Sequence, residues 1–478
     1  MSRRLAASGV VAALAALALP ATAYAHGLSG RTDLPVPDWL FTWGATAVLV
    51  VSFVGLAVLW PTPRLQRPQF RPLPDALGRV VTSRAVDVVC GTIGAALLAF
   101  TVYCGLRGAQ VVAVNFAPTF VYVAFWLALV PVSIVFGDVF RLFNPWRAIG
   151  RVIGWLLGRV VSAPPAPLPY PERLGYWPAA VGLFAFGYLE LVAEDGNDPS
   201  ALAIAALIYS ALTFVGMALY GTDRWLERGE AFSVYFGLFA RMSVFERRGR
   251  RVGLRRFLSG LPSWSAGPGS VALLAVMIGV VSFDGLSAGQ PYSDLIDGIV
   301  PWLDDDVGLS ASLAVEVVYG VSLLLAVALT AGFYLLGVAG AHTVDRTKTK
   351  VALARSFAHS LVPIALAYVA AHYVSFLLFQ GQALGFIVSD PLGRGKDYLG
   401  TADWVIDYDI IGAEVFWYLQ VAFVVFGHIA GLVLAHDRAL VLFTNTKNAV
   451  RSQYWLLCVM IGYTTLALWL LAQARSGG

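Results

Sequence analysis

Ten apolar stretches, joined by connections of which every second one carries nearly all the positive charge, constrain this chain more than any other feature. They lie near Leu40–Trp60, Val88–Gly105, Phe116–Phe136, Trp177–Leu191, Pro199–Tyr220, Ser270–Phe283, Leu309–Ala341, Leu353–Phe379, Ile411–Ala435 and Tyr454–Ala472. About 20 helical residues cross a hydrocarbon core about 30 Å thick, and most of the ten reach that length. The fourth and sixth are short. Only helices or closed barrels satisfy their backbone inside lipid, so the expected fold is all-α, a polytopic transmembrane helix bundle of about ten spans. A hydrophobic content of 58%, a charged content of 13% and a mean hydropathy of +0.72 exclude the soluble classes.

The N-terminus reads differently. Arg3 and Arg4 precede the apolar run Val10–Leu19, and Ala23-Tyr24-Ala25 supplies the small-x-small pattern of a signal-peptidase site. Residues 1–25 are therefore expected to be a secretory signal peptide, and residues 26–478 a single transmembrane domain beginning outside at His26. From that start, the connections after the first, third, fifth, seventh and ninth stretches fall inside. They hold about 26 of the 33 Lys and Arg, as the positive-inside rule requires. Glu194, Asp195, Asp198, Asp284, Asp294, Asp297 and Asp304–Asp306 fall on the other side. Both termini are expected outside, in a bacterial plasma membrane. The net charge of +4 is thus an orientation signal and not a nucleic-acid one.

Two internal connections, near 146–161 and 232–256, mix aromatic and aliphatic residues with arginine and read as amphipathic segments lying on anionic lipid headgroups. A solvated basic loop is the alternative. Cys90 and Cys104 stand about 21 Å apart on one helix, too far to bridge, and with Cys458 read as packing residues.

Five of the six histidines follow residue 340. Ionisable side chains within a bilayer are costly and usually face a functional interior. His359 and His428 both stand about 10 Å from the inner boundary by helical rise. Gly427 and Gly431 provide a small-xxx-small face for close helix contact, and Pro363 frees the carbonyl of His359. Two neutral imidazoles meeting there suit a transition metal or haem iron, with His342 and His436 completing the site or forming its entrance. Cross-helix hydrogen bonding without a ligand is the alternative. Further out, His372, Glu414 and Glu316 share a level and read as a proton relay or a structural set. His26, as a mature N-terminus, combines an amine with an imidazole and suits copper. No nucleophile elbow, zinc-protease helix, phosphate loop or Cys-x-x-Cys pair occurs.

The blocks His26–Phe41, Gly137–Arg147, Gly229–Phe236 and Phe357–Ile364 resemble actinobacterial multi-pass membrane proteins commonly labelled fenitrothion hydrolase, with a likeness over nearly the whole mature chain. The resemblance implies hydrolysis of an organophosphate ester, which calls for an activated water, often on a metal. No catalytic residue carries over from it. Three functions are therefore expected: a membrane protein with an intramembrane histidine site for metal or haem, a proton-coupled secondary transporter, or a non-catalytic membrane assembly component.

Overall fold

The structure is a computed structural model that describes residues 38–67, 69–160 and 166–473. The signal-peptide and His26 expectations lie outside the described residues. Among the described residues, thirteen helices of ten residues or more organise the chain: α1 (Asp38–Leu59), α2 (Arg84–Arg107), α3 (Phe116–Phe136), α4 (Pro145–Val160), α5 (Trp177–Leu191), α6 (Pro199–Tyr220), α7 (Ala231–Ala240), α8 (Ser270–Ser287), α9 (Gln290–Asp305), α10 (Ala311–His342), α11 (Lys350–Ile387), α12 (Ala413–Leu442) and α13 (Tyr454–Gln473). Shorter helical turns lie between some of them. Among the described residues, seven helices are long and apolar enough to cross a membrane: α2, α3, α6, α8, α10, α11 and α12. The stretches near Leu40–Trp60, Trp177–Leu191 and Tyr454–Ala472 are helical too, as α1, α5 and α13.

The connections gather in two groups. In one, Ala109 and Phe116 donate to the carbonyls of Leu392 and Pro391, and Ser200 donates to Gln110. The Arg394 guanidinium also reaches the carbonyl of Arg107. In the other, Leu168 donates to Leu219, Tyr176 to Pro268, and Arg438 to Pro262. The first group carries Glu194, Asp195, Asp198 and the Asp304–Asp306 run, so it forms an acidic end. The second carries most of the arginines. A small antiparallel sheet sits at the basic end, in the order β1 (Arg71–Pro72), β3 (Arg251–Leu254), β2 (Phe245–Arg248), with Leu254 facing both Arg71 and Phe245.

α4 is a helix as expected. It leaves Val152, Ile153, Trp155, Leu156 and Leu157 exposed, while Arg147 and Arg151 tie its start to Asp87. The 232–256 segment differs from its expected surface position. Its first part is α7, in which Phe232, Tyr235, Phe236, Leu238 and Phe239 are all buried. A helix apolar on every side gains by entering the bundle and has no polar face to keep in water. The basic part then folds back as the β2–β3 hairpin. Buried Glu230 caps α7, accepting from the amides of Phe232 (2.9 Å) and Ser233 (2.8 Å), from Asn144 and from the Tyr209 hydroxyl. Burial pushes its carboxyl above the ordinary range despite these donors.

α3 contains a π-helical segment, Thr119–Ala128. Its wider turns point Tyr122 and Trp126 into the core, where π geometry recurs near functional sites.

Candidate functional site

The longest helix contact in the bundle joins α11 to α12, and the residues named for it in the sequence account for it. A Cβ on Gly427 would come within 2.4 Å of the Ala367 Cβ and 2.7 Å of the Pro363 carbonyl oxygen; one on Gly431 would meet the Ser360 carbonyl oxygen at 2.9 Å. Only glycine permits this approach. Pro363 cannot donate to His359, and the backbone there tightens into a 3-10 turn, Ala358–Leu361.

His359 and His428 are both buried beside this contact. His428 donates from Nδ1 to the Val424 carbonyl at 2.7 Å, and the His359 ring bonds the Ser356 backbone. Each is left with a buried Nε2 that has no hydrogen-bond partner among the described residues. That tautomer is the one a metal or haem ligand adopts. Among the described residues, however, no hydrogen bond or ring contact joins the two. The ring facing His428 is Tyr368, at 6.3 Å.

The other two inner histidines do not complete a ligand set. His436 donates from Nε2 to the Trp60 carbonyl (3.1 Å) and accepts at Nδ1 from Gln453 (3.2 Å), so both nitrogens are engaged. His342 ends α10, half-buried. Among the described residues, no group of three or more His, Cys, Asp or Glu is placed to hold a metal ion.

The acidic end holds a different arrangement. His372 on α11 donates from Nε2 to Oδ2 of Asp284 on α8 at 2.9 Å, and the Tyr373 hydroxyl donates to the same oxygen at 2.6 Å. The Tyr373 and His372 rings meet edge to face, 4.7 Å apart. Glu190, near the end of α5, stands beside them. Its Oε2 is buried without a hydrogen-bond partner among the described residues, and Asp284, Tyr122, Tyr235 and Tyr373 lie within electrostatic range of it.

These residues border a cavity of about 500 Å³, lined by Glu190, Leu191, Asn197, Asp284, His372, Tyr373, Ser375, Phe376, Phe416 and Gln420. Asn197 is exposed in the connection after α5, so the cavity reaches the acidic end. Towards the basic end it meets aromatic packing. Tyr373 stacks edge-on with Trp126 (4.9 Å), Trp126 with Phe186 (5.4 Å) and Phe186 with Phe232 of α7 (5.3 Å). A second cavity of about 20 Å³, room for about one water, lies between His372, Tyr368 and Val424. It lies between His372 and Val424, whose carbonyl accepts from His428, and its lining is mostly apolar.

The outer relay expected from the sequence is thus rebuilt. His372 belongs to it, but its partners are Asp284 and Tyr373. Glu316 accepts from the Glu194 amide at 2.9 Å, and Glu414 is exposed at the start of α12. Counting helical rise ranks residues by depth and cannot say which helices adjoin. Asp284 read only as one of several outer acids, and Glu190 was passed over. Its signal was available: it is the sole charged residue within Trp177–Leu191.

No protein-family model, curated protein or solved structure matches this chain.

Proposed function

We propose that this chain is a ten-pass bacterial plasma-membrane protein, N-terminus outside after signal cleavage, that exchanges a small solute for protons through the cavity at its acidic end. The basic connections then face the cytoplasm, where the exposed apolar side of α4 and its arginines rest on anionic lipid. The buried Oε2 of Glu190, without a hydrogen-bond partner among the described residues, stands beside the Asp284–His372–Tyr373 set on the cavity wall and carries this reading. A desolvated carboxylate without a donor is stable only when a proton or a cation neutralises it. Transport needs such a group, because its occupant must be exchangeable. Asp284 and His372 differ in that each has the other as a hydrogen-bond partner. With Tyr373 they form a hydrogen-bonded proton store adjoining Glu190, and the water-sized cavity towards Tyr368 extends it inwards. The aromatic layer from Tyr373 to Phe232 seals the cavity from the cytoplasmic side, as one state of alternating access demands.

The test is proton release from the purified full chain in weakly buffered detergent on addition of cationic, anionic and neutral solutes. At least one class should release protons from wild type and none from Glu190→Gln. No release with any class, or equal release in the variant, would remove the exchange reading.

The free Nε2 atoms of His359 and His428 favour a second reading, two-histidine ligation of haem or a transition metal. An absorption spectrum with elemental analysis of purified protein tests it. A Soret band or near-stoichiometric metal, lost in His428→Ala, supports that reading. A clean preparation with neither leaves the two histidines to helix packing. The hydrolysis implied by the resemblance has one suited group, the Asp284–His372 pair on the cavity wall. Ester turnover surviving His372→Gln would separate that activity from this site.

A further inference from the structure

We infer that the cavity takes a small organic cation with an apolar body, and that this cation and a proton compete for Glu190; the competition rests on the exchange reading above, the charge preference on the cavity itself. Three observations converge on it. The charged groups on the wall are Glu190, Asp284 and His372, with no Lys or Arg among them. His372 is already committed to Asp284, so the uncompensated charge of the cavity is that of Glu190. An anion would meet two carboxylates with no free cation to receive it. A neutral solute would leave Glu190 in want of a counter-charge.

The second observation concerns the remaining wall. Phe376, Phe416 and Tyr373 offer aromatic surface, which attracts a desolvated cation through the ring quadrupole and covers the apolar part of the ligand. Gln420 donates one N–H to the Ala371 carbonyl at 2.7 Å, which fixes the side chain on the wall, and its amide oxygen is an acceptor suited to a cation. A volume of about 500 Å³ suits an organic ion and far exceeds what a bare metal cation needs.

The third is the approach. Glu194, Asp195 and Asp198 are exposed in the connection that contributes Asn197 to the wall. Carboxylates around a low-dielectric mouth raise the local concentration of cations and repel anions. The titratable groups facing Glu190 are Asp284 and Tyr373 from α8 and α11, Tyr122 from α3 and Tyr235 from α7, with His372 held beyond Asp284. None supplies a fixed positive charge, so arrival of a cation at Glu190 displaces the proton there.

The experiment compares two ions of matching shape and opposite charge, tetraphenylphosphonium and tetraphenylborate, by calorimetry on the full chain in detergent. Proton release is read in parallel. Tetraphenylphosphonium should bind at least tenfold more tightly than tetraphenylborate, weaken as pH falls, and release about one proton per site. Glu190→Gln should lower its affinity at least tenfold and abolish the release. Phe416→Leu, which keeps every charge, should weaken binding several-fold while leaving the proton count unchanged. Equal binding of the two ions, or an affinity unchanged by both substitutions, overturns the cation site. Selective phosphonium binding without proton release upholds the cation site and overturns the exchange. Proton release driven only by an anionic or neutral solute upholds the exchange and overturns the cation.

Discussion

Two carboxylate–imidazole sets stand at opposite ends of the α11–α12 pair, and they are built to different standards. At the basic end, buried Asp437 accepts from the Trp60 indole, the amides of Arg64 and Leu65 and the Gln66 side chain, while neighbouring His436 uses both ring nitrogens. At the acidic end Asp284 has two donors on one oxygen, and Glu190 beside it has an oxygen with none. A saturated carboxylate holds helices together and has nothing left to offer. An unsaturated one weakens the fold locally and keeps a valence free for something mobile. Residue type is similar in both sets. Hydrogen-bond accounting is what separates scaffold from site.

That contrast can be broken in several ways, beginning with the largest effect. Asp437→Ala leaves four donors without an acceptor and should cost about 3 kcal/mol or more in thermal unfolding followed by tryptophan fluorescence. Asp284→Asn, which retains shape and can still accept from Tyr373, should cost no more than about 1 kcal/mol. Equal losses would erase the distinction. His436→Phe deprives the Trp60 carbonyl and Gln453 of their partner, with an expected loss of about 2 kcal/mol. An unchanged melting temperature there would reclassify His436 as available for other chemistry. Glu190→Leu should act in the opposite direction, raising stability by about 1 kcal/mol while abolishing proton release, because an apolar side chain suits a half-buried position with an unpartnered oxygen better than a carboxylate. A destabilised variant would mean that Glu190 is structural.

The smallest effect concerns two carboxylates outside the helices that pair. Burial raises the Glu230 carboxyl, so its contribution is fully present below the unfolded pKa and is lost as pH rises through the folded one. Asp397 is held low by the Ser389 hydroxyl and by the amides of Ala402 and Thr401. Its contribution is present above the unfolded pKa and is lost as pH falls through the folded one. Melting temperature against pH should therefore lose its decline towards neutrality in Glu230→Gln and part of its acid-side decline in Asp397→Asn. Identical curves for both variants would show that neither group is linked to folding.

Much of the helical framework was legible because apolar length is a local property. Phe116–Phe136, Trp177–Leu191 and Pro199–Tyr220 have the bounds their hydropathy suggested. The close approach at Gly427 and Gly431 was legible too, since small residues at that spacing have one main use in lipid. The site was only half legible. His372 drew notice as an ionisable residue at depth, but its meeting with Asp284 and Glu190 depends on α5, α8 and α11 adjoining, and no periodicity encodes adjacency. α7 misled for a related reason. Aromatic residues beside a basic run suit a lipid surface as well as a protein interior, and the buried cap from Glu230 that marks the interior is a tertiary fact.

The Asp437 clamp also bears on how the molecule is made. α1 packs on α12 and α13, its exit is pinned to Asp437 across a separation of 377 residues, and Phe53 meets Tyr454 of α13 at 6.0 Å. On a chain that emerges from its amino end, the most extensive contacts of α1 among the described residues wait until nearly the last helix has been synthesised. Closure of that seam is therefore a late event in biogenesis, and a chain truncated before residue 437 lacks both the clamp at the exit of α1 and the α13 surface it packs on.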